Sequence, residues 1–180
     1  MKNLTKLKLD GMRIEWEEIN ILSKLPRLEV LKCLGQSCVG KEWEIQEDVI
    51  FCQLIALDIY YCDLKHWKAS SHNFPKLEHL YIGYCHELRE IPIDFAEIST
   101  LKSIKLRSCL PSSVESAKKI EDEQRDYGNI DMVVIEKQTL DAEDNKGDIW
   151  NLSMCWLRGK ELNKSDGQRE SIAARTARHF

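Results

Sequence analysis

No run of 18 apolar residues occurs anywhere in this chain, so a hydrophobic membrane-crossing helix is excluded. The opening MKNLTKLKLD has no apolar stretch of the kind a signal peptide carries, and a cytoplasmic setting is expected. No GxxxxGK[ST] phosphate loop is present, so ATP binding and hydrolysis are not expected of this chain by itself. Lys and Arg never cluster without interleaved acids, which excludes a nucleic-acid footprint. The histidines, at positions 66, 72, 79, 86 and 179, show no placement beside a Ser or Cys that would mark a nucleophile and its base, and no enzyme is expected.

Net charge is −4, with the acidity confined to one segment. Residues 1–111 carry 15 basic and 16 acidic side chains, residues 112–148 carry 5 and 11, and residues 149–180 carry 6 and 3. Seven cysteines, at 33, 38, 52, 62, 85, 109 and 155, form an odd set, which argues against a disulfide framework and for reduced thiols, with Cys62, Cys85 and Cys109 expected to be buried. Cys38, in a glycine-flanked loop, is expected to be the accessible one.

What is present is a period. An apolar triplet at i, i+3 and i+5, with another apolar residue at i−3, recurs as Leu4-Leu7-Leu9, Leu28-Leu31-Cys33, Leu54-Leu57-Ile59, Leu77-Leu80-Ile82 and Leu101-Ile104-Leu106. Met1, Leu25, Phe51, Phe74 and Ile98 fill the preceding slot, and the starts are 24, 26, 23 and 24 residues apart. This spacing falls within the roughly 20–29 residues of leucine-rich repeats. Three residues after the triplet, Cys62, Cys85 and Cys109 occupy the slot where that consensus has Asn or Cys. The expected fold is α/β: a leucine-rich-repeat solenoid of about five repeats, with short parallel strands on its concave face. A small polar side chain in the cysteine slot turns inward and donates a weak hydrogen bond to backbone groups left over as the chain leaves the strand. Zinc on Cys62, Cys85, His86 and Cys109 is disfavoured, because the repeat stacks the cysteines in one column where tetrahedral closure does not follow. No metal or cofactor is expected.

The return segments carry Trp16, Trp43, Trp67 and Ile91 at similar offsets, as plugs for the convex side. GQSCVGKEWEIQED, from Gly35, reads as a surface loop, and CxxLxxIPxxFxxI, from Cys85, as an extended return stopped by Pro92. Residues 112–136 are expected to form a C-terminal cap. Ser112 and Glu115 read as a capping box, Val114, Ala117, Ile120 and Tyr127 as the buried stripe, Gly128 as the helix stop, and Met132 to Ile135 as a last strand. Residues 137–180 read as an acidic linker and a largely disordered tail. Met1 already stands in a repeat slot, so the chain is expected to be a piece of something longer. The sequons at Asn3, Asn151 and Asn163 read as chance matches.

In register, the strands display the columns Lys6/Val30/Ala56/His79/Ser103, Lys8/Lys32/Asp58/Tyr81/Lys105, Asp10/Leu34/Tyr60/Gly83/Arg107 and Gly11/Gly35/Tyr61/Tyr84/Ser108. Tyr60, Tyr61, Tyr81 and Tyr84 therefore converge on repeats three and four, flanked by Lys105 and Arg107. Aromatic and Arg side chains are the types enriched at interface hot spots, although strands also favour tyrosine for packing alone. These six residues are the candidate partner-binding site.

The cysteine-type repeat, the return from Cys85 to Ile98 and above all SVESAKKIEDEQRDYGN, from Ser113 to Asn129, resemble the C-terminal repeats of plant nucleotide-binding leucine-rich-repeat (NLR) immune receptors. The coiled-coil subclass of the nightshade family, with its late blight resistance homologues, is the nearest in kind. The resemblance covers roughly residues 1–136. It implies a non-catalytic recognition and autoinhibition module in plant defence against pathogens, with a pathogen effector or the receptor's own nucleotide-binding domain as partner. A substrate-adaptor repeat domain of a ubiquitin ligase is the alternative, to be told apart by an F-box upstream.

Overall fold

A computed structural model describes residues 3–138. The strands in chain order are β1 (Lys6–Asp10), β2 (Ile14–Glu15), β3 (Val30–Leu34), β4 (Cys38–Val39), β5 (Glu42–Glu44), β6 (Ala56–Tyr60), β7 (His66–Lys68), β8 (His79–Gly83), β9 (Ser103–Arg107) and β10 (Val133–Lys137). Among the described residues there are two α-helices, α1 (Trp16–Ile19) and α2 (Pro111–Asp126), and three short 3₁₀ turns at Asn20–Lys24, Ser71–Asn73 and Ile93–Glu97. The central sheet has six described strands in the order β1-β3-β6-β8-β9-β10, and every pairing in it is parallel. The fold is α/β. The expected linker and tail from residue 139 onward lie outside the described residues.

One local unit recurs, and its hydrogen bonds explain the period. In the second to fifth units the amide of the triplet's first leucine donates back three residues: Leu28 to the Leu25 carbonyl, Leu54 to Phe51, Leu77 to Phe74 and Leu101 to Ile98. The apolar residue at i−3 is thus both a core side chain and the acceptor of the turn that feeds the strand. Next, two successive amides converge on one carbonyl of the previous unit, as Glu78 and His79 do on Ile55, and Lys102 and Ser103 on Glu78. Register is set here, before the strands begin. It places Leu7, Leu31, Leu57, Leu80 and Ile104 in one row and Leu9, Cys33, Ile59, Ile82 and Leu106 in the next. All ten are buried, because alternation turns both rows to the same side of the sheet.

The return segments form the opposite wall. Trp16, Trp43 and Trp67 stack in a column, with ring centroids 4.8 and 5.2 Å apart and interplanar angles of 26° and 7°. Of the three, only Trp43 has a hydrogen-bond partner for its indole nitrogen among the described residues, donating to Asn20 Oδ1 at 2.9 Å; Trp16 Nε1 and Trp67 Nε1 are buried without one. The segment from Gly35, expected to be a surface loop, is instead built into this wall. β4 pairs with β2, β5 pairs with β7, and Cys38, Trp43 and Ile45 are buried. A parallel partner on a neighbouring unit, invisible in the isolated segment, makes the difference.

Helix α2 starts without the capping box expected of Ser112 and Glu115. Leu110 is the N-cap, with no side-chain cap, and Pro111 occupies the first helical position, where its fixed φ suits the helix and its missing N–H costs nothing. Ser113 instead donates to the Leu88 carbonyl. The buried stripe is Ser113, Val114, Ala117, Ile120 and Gln124, while Tyr127 is 74% exposed. Gln124 belongs there because its Nε2 donates to Ala96 O at 2.7 Å and Ile98 O at 2.9 Å, satisfying carbonyls at the end of a 3₁₀ turn. Gly128, at φ +92°, and Asn129 close the helix: their amides donate to Arg125 O and Gln124 O, the Schellman pattern. Tyr127 lies past the last helical residue, and this turn carries it outward.

Candidate functional site

The open face of the sheet carries the four columns in the expected register, and the structure brings the six candidate residues together, Tyr60, Tyr81, Lys105 and Arg107 on β6, β8 and β9 and Tyr61 and Tyr84 one residue past the ends of β6 and β8. Asp58, Tyr81 and Lys105 stand side by side, as do Tyr60, Gly83 and Arg107. The Lys105 ammonium sits 5.0 Å from the centre of the Tyr81 ring, and the Arg107 guanidinium 5.7 Å from that of Tyr84. Tyr61 and Tyr84 stack face to face, centroids 4.5 Å apart and planes within 1°. The Tyr60 ring lies across Gly83, so that a Cβ at 83 would meet its Cδ1 at 2.6 Å. Glycine is needed there for space, since the backbone is ordinary strand.

The last column is conformationally distinctive. Gly11, Gly35, Tyr61, Tyr84 and Ser108 all have left-handed backbones, with φ between +49° and +59°. Amides of this column donate onward to the next strand, Tyr61 to Gly83 O at 3.0 Å, Tyr84 to Arg107 O at 2.8 Å and Ser108 to Lys137 O at 3.0 Å. The geometry therefore repeats along the sheet irrespective of side chain. Glycine adopts it freely, whereas other residues are disfavoured by about 1–2 kcal/mol each. Two units meet the demand with glycine; the third and fourth place tyrosine there.

Five residues of these displayed columns are buried: Lys32, Asp58, Gly83, Ser103 and Lys105. Lys32 Nζ and Asp58 Oδ2 form an ion pair at 2.8 Å with side chains only 7% and 3% accessible. Lys105 is also largely covered. Burial, aided by Asp58, pushes the phenols of Tyr60 and Tyr81 upward, and burial followed by Tyr84 raises that of Tyr61, so all three are neutral hydrogen-bonding groups at physiological pH. Burial also lowers Lys105, with Asp58 opposing and Lys137 adding to the effect. Lys137, expected to open the linker, instead ends β10 in register with Arg107 and adds a cation beside the patch, because pairing with β9 carries the strand two residues past Ile135.

Among the described residues, Cys33, Cys38, Cys52, Cys62, Cys85 and Cys109 are all free thiols. Cys38, expected to be accessible, is buried, and the exposed thiol is Cys52. Cys62 and Cys109 are only partly buried, and Cys85 fully. Cys109 donates to the Ile82 and Arg107 carbonyls at 3.5 Å, and Cys85 to Gly83 O at 3.4 Å, as the inward-turning slot requires. A thiol-alkylating reagent should label Cys52 first and Cys62 and Cys109 more slowly, leaving Cys33, Cys38 and Cys85 protected until denaturation. Peptide mass spectrometry along a labelling time course checks the order; early labelling of Cys38 would contradict it. No group of three metal-ligating side chains occurs among the described residues, nor any helix long and apolar enough to cross a membrane.

No family model matches the chain. Individual proteins do. One late blight resistance protein homolog of Solanum demissum is 36% identical over 143 residues, or 77% of this chain and 18% of that protein. Homolog R1B-12, from the same species, is 33% identical over 144 residues, 77% of this chain and 11% of that protein. The chain belongs to the family of late blight resistance homologues. Late blight resistance protein R1-A, also from Solanum demissum, is 36% identical over 137 residues, 74% of this chain and 10% of its own length. The chain therefore spans between a tenth and a fifth of the length of these late blight resistance relatives.

Proposed function

We propose that this chain is the leucine-rich-repeat solenoid of a plant intracellular immune receptor, a non-catalytic module acting in defence against pathogens. Its concave face recognises a protein partner through Tyr60, Tyr61, Tyr81, Tyr84 and the cations Lys105 and Arg107. The partner is an acidic surface of a pathogen effector or of the receptor's own nucleotide-binding domain; binding to the latter restrains the receptor. Residues 1–111 supply the repeats and 112–136 the cap that covers their end.

The observation carrying this reading is the left-handed tyrosine pair. Two tyrosines in that region cost about 2–4 kcal/mol together. A stacked aromatic pair returns about 0.5–1.5 kcal/mol beyond its buried area, and a cation over a ring at an exposed site about 0.5–1 kcal/mol. Stability alone does not account for tyrosine where glycine serves two other units, and strain held in place by its surroundings is characteristic of functional positions. Tyr61 is 52% exposed, so the stack offers aromatic area already rigid before a partner arrives.

The test separates folding from binding. Tyr61→Gly with Tyr84→Gly should leave the melting temperature unchanged or slightly higher, while affinity for the nucleotide-binding domain or a cognate effector falls by about 2 kcal/mol or more. Calorimetry against both candidates measures it. Full affinity in the double variant for a confirmed partner would reduce the tyrosines to strand formers. An acidic partner should also bind more weakly as salt rises, since Arg107 lies at the patch edge.

A further inference from the structure

Cys62 and Cys85 occupy the same slot of adjacent units, each directly following a tyrosine of the left-handed pair. Their sulfurs stand 2.9 Å apart, roughly 0.9 Å more than a disulfide bond. The backbone favours closure as well. Both residues lie three positions beyond Ile59 and Ile82, which face each other in register on β6 and β8, and strands spaced about 4.8 Å apart hold such residues within the separation a disulfide spans. Cys62 departs from the column's habit: Cys85 and Cys109 reach backbone carbonyls, whereas Cys62 reaches Cys85.

We propose that Cys62 and Cys85 form a peroxide-oxidisable dithiol, a reversible modification site in which Cys62 is the attacking thiol and Cys85 the resolving one. The asymmetry between them fits these roles. Cys62 is partly exposed and Cys85 buried, so peroxide reaches Cys62. Its hydrogen bond with Cys85 holds the Cys62 thiol below its ordinary range, against burial and the charge of Asp63, while Cys85 is pushed well up by Cys62 and by burial. The Cys62 thiolate attacks one peroxide oxygen, breaking the O–O bond; a sulfenic acid forms and the other oxygen leaves as water once protonated. The Cys85 sulfur then displaces the sulfenic hydroxyl, which takes the Cys85 proton and leaves as a second water. Two thiols lose two electrons to one hydrogen peroxide, yielding one disulfide and two waters.

Cys109, in the same column, is a poorer partner. Its thiol is raised by burial and is engaged with two carbonyls. Cys52 is exposed, and its sulfur contacts the Ile50 carbonyl at 3.6 Å rather than a second thiol. A Cys62–Cys85 bond would fasten the third unit to the fourth immediately beside the Tyr61–Tyr84 stack, and the site is independent of whatever those tyrosines bind.

The experiment treats the full 180-residue chain with a modest molar excess of hydrogen peroxide, blocks remaining thiols and maps peptides by mass spectrometry. The expected product is an intramolecular Cys62–Cys85 cross-link, two hydrogens lighter, that dithiothreitol reverses. In Cys85→Ser, Cys62 should stop as a sulfenic acid trapped by dimedone; in Cys62→Ser, the cross-link should fall to background with Cys85 left reduced. Circular dichroism verifies that each variant folds, and if one does not, the cross-link and its reversal in the parent protein decide. The proposal is overturned if Cys62 and Cys85 stay reduced while Cys52 oxidises, if Cys62 proceeds to sulfinic acid with Cys85 present, or if Cys85 links to Cys109 instead.

Discussion

Trp43→Ala is expected to cost about 3–5 kcal/mol, a large share of the roughly 5–15 kcal/mol that holds a typical domain together. The residue is the middle of the tryptophan column, fully buried, and contacts a ring on either side. Its removal leaves a cavity between Trp16 and Trp67 and also orphans Asn20 Oδ1, which accepts the Trp43 indole hydrogen. Trp43→Phe should retain most of the packing and lose chiefly that bond, about 1 kcal/mol. Urea unfolding of the two variants measures both figures. A Trp43→Ala midpoint equal to the parent's would show that the column contributes little to stability.

Asp58→Ala is the second large effect, at about 3–5 kcal/mol, because it leaves the Lys32 ammonium under cover without its counter-charge. An exposed ion pair of the same length would contribute only about 0–1 kcal/mol, so the size of the loss reports the burial. Lys32→Met with Asp58→Leu removes both charges together and should be far milder than Asp58→Ala alone. If the single and double changes cost the same, the pair is not coupled. A loss below about 1 kcal/mol for Asp58→Ala would mean that Lys32 reaches solvent when released.

The strand rows were legible because one period governed them. Five copies of a triplet fix which residues share a row, and once rows are known, register follows without any knowledge of the turns. Legibility failed where a side chain's surroundings come from another unit. Lys32 and Asp58 were visible as neighbours in their column, but charge in a strand reads as exposure unless the pairing across strands is weighed at the same time. Two glycines at positions 11 and 35 already signalled a left-handed column; extending that demand to Tyr61 and Tyr84 needed only the assumption that the turn repeats. Ser112 and Glu115 satisfy the spacing of a capping box, while Pro111, one residue earlier, begins the helix by itself. Helical periodicity does not register Gln124 as a buried residue, because its partners are carbonyls 26–29 residues away in the chain.

The crowding at Gly83 gives the patch a hidden control point. Gly83 contributes no side chain to any partner, yet adding one methyl there would strike the Tyr60 ring and force it off β8. The aromatic surface can thus be rearranged from beneath by a residue that adds no side chain to it. In a family of related chains, a change at this position would alter what the face displays while every contact-making residue stayed the same, and a comparison limited to exposed residues would miss the cause.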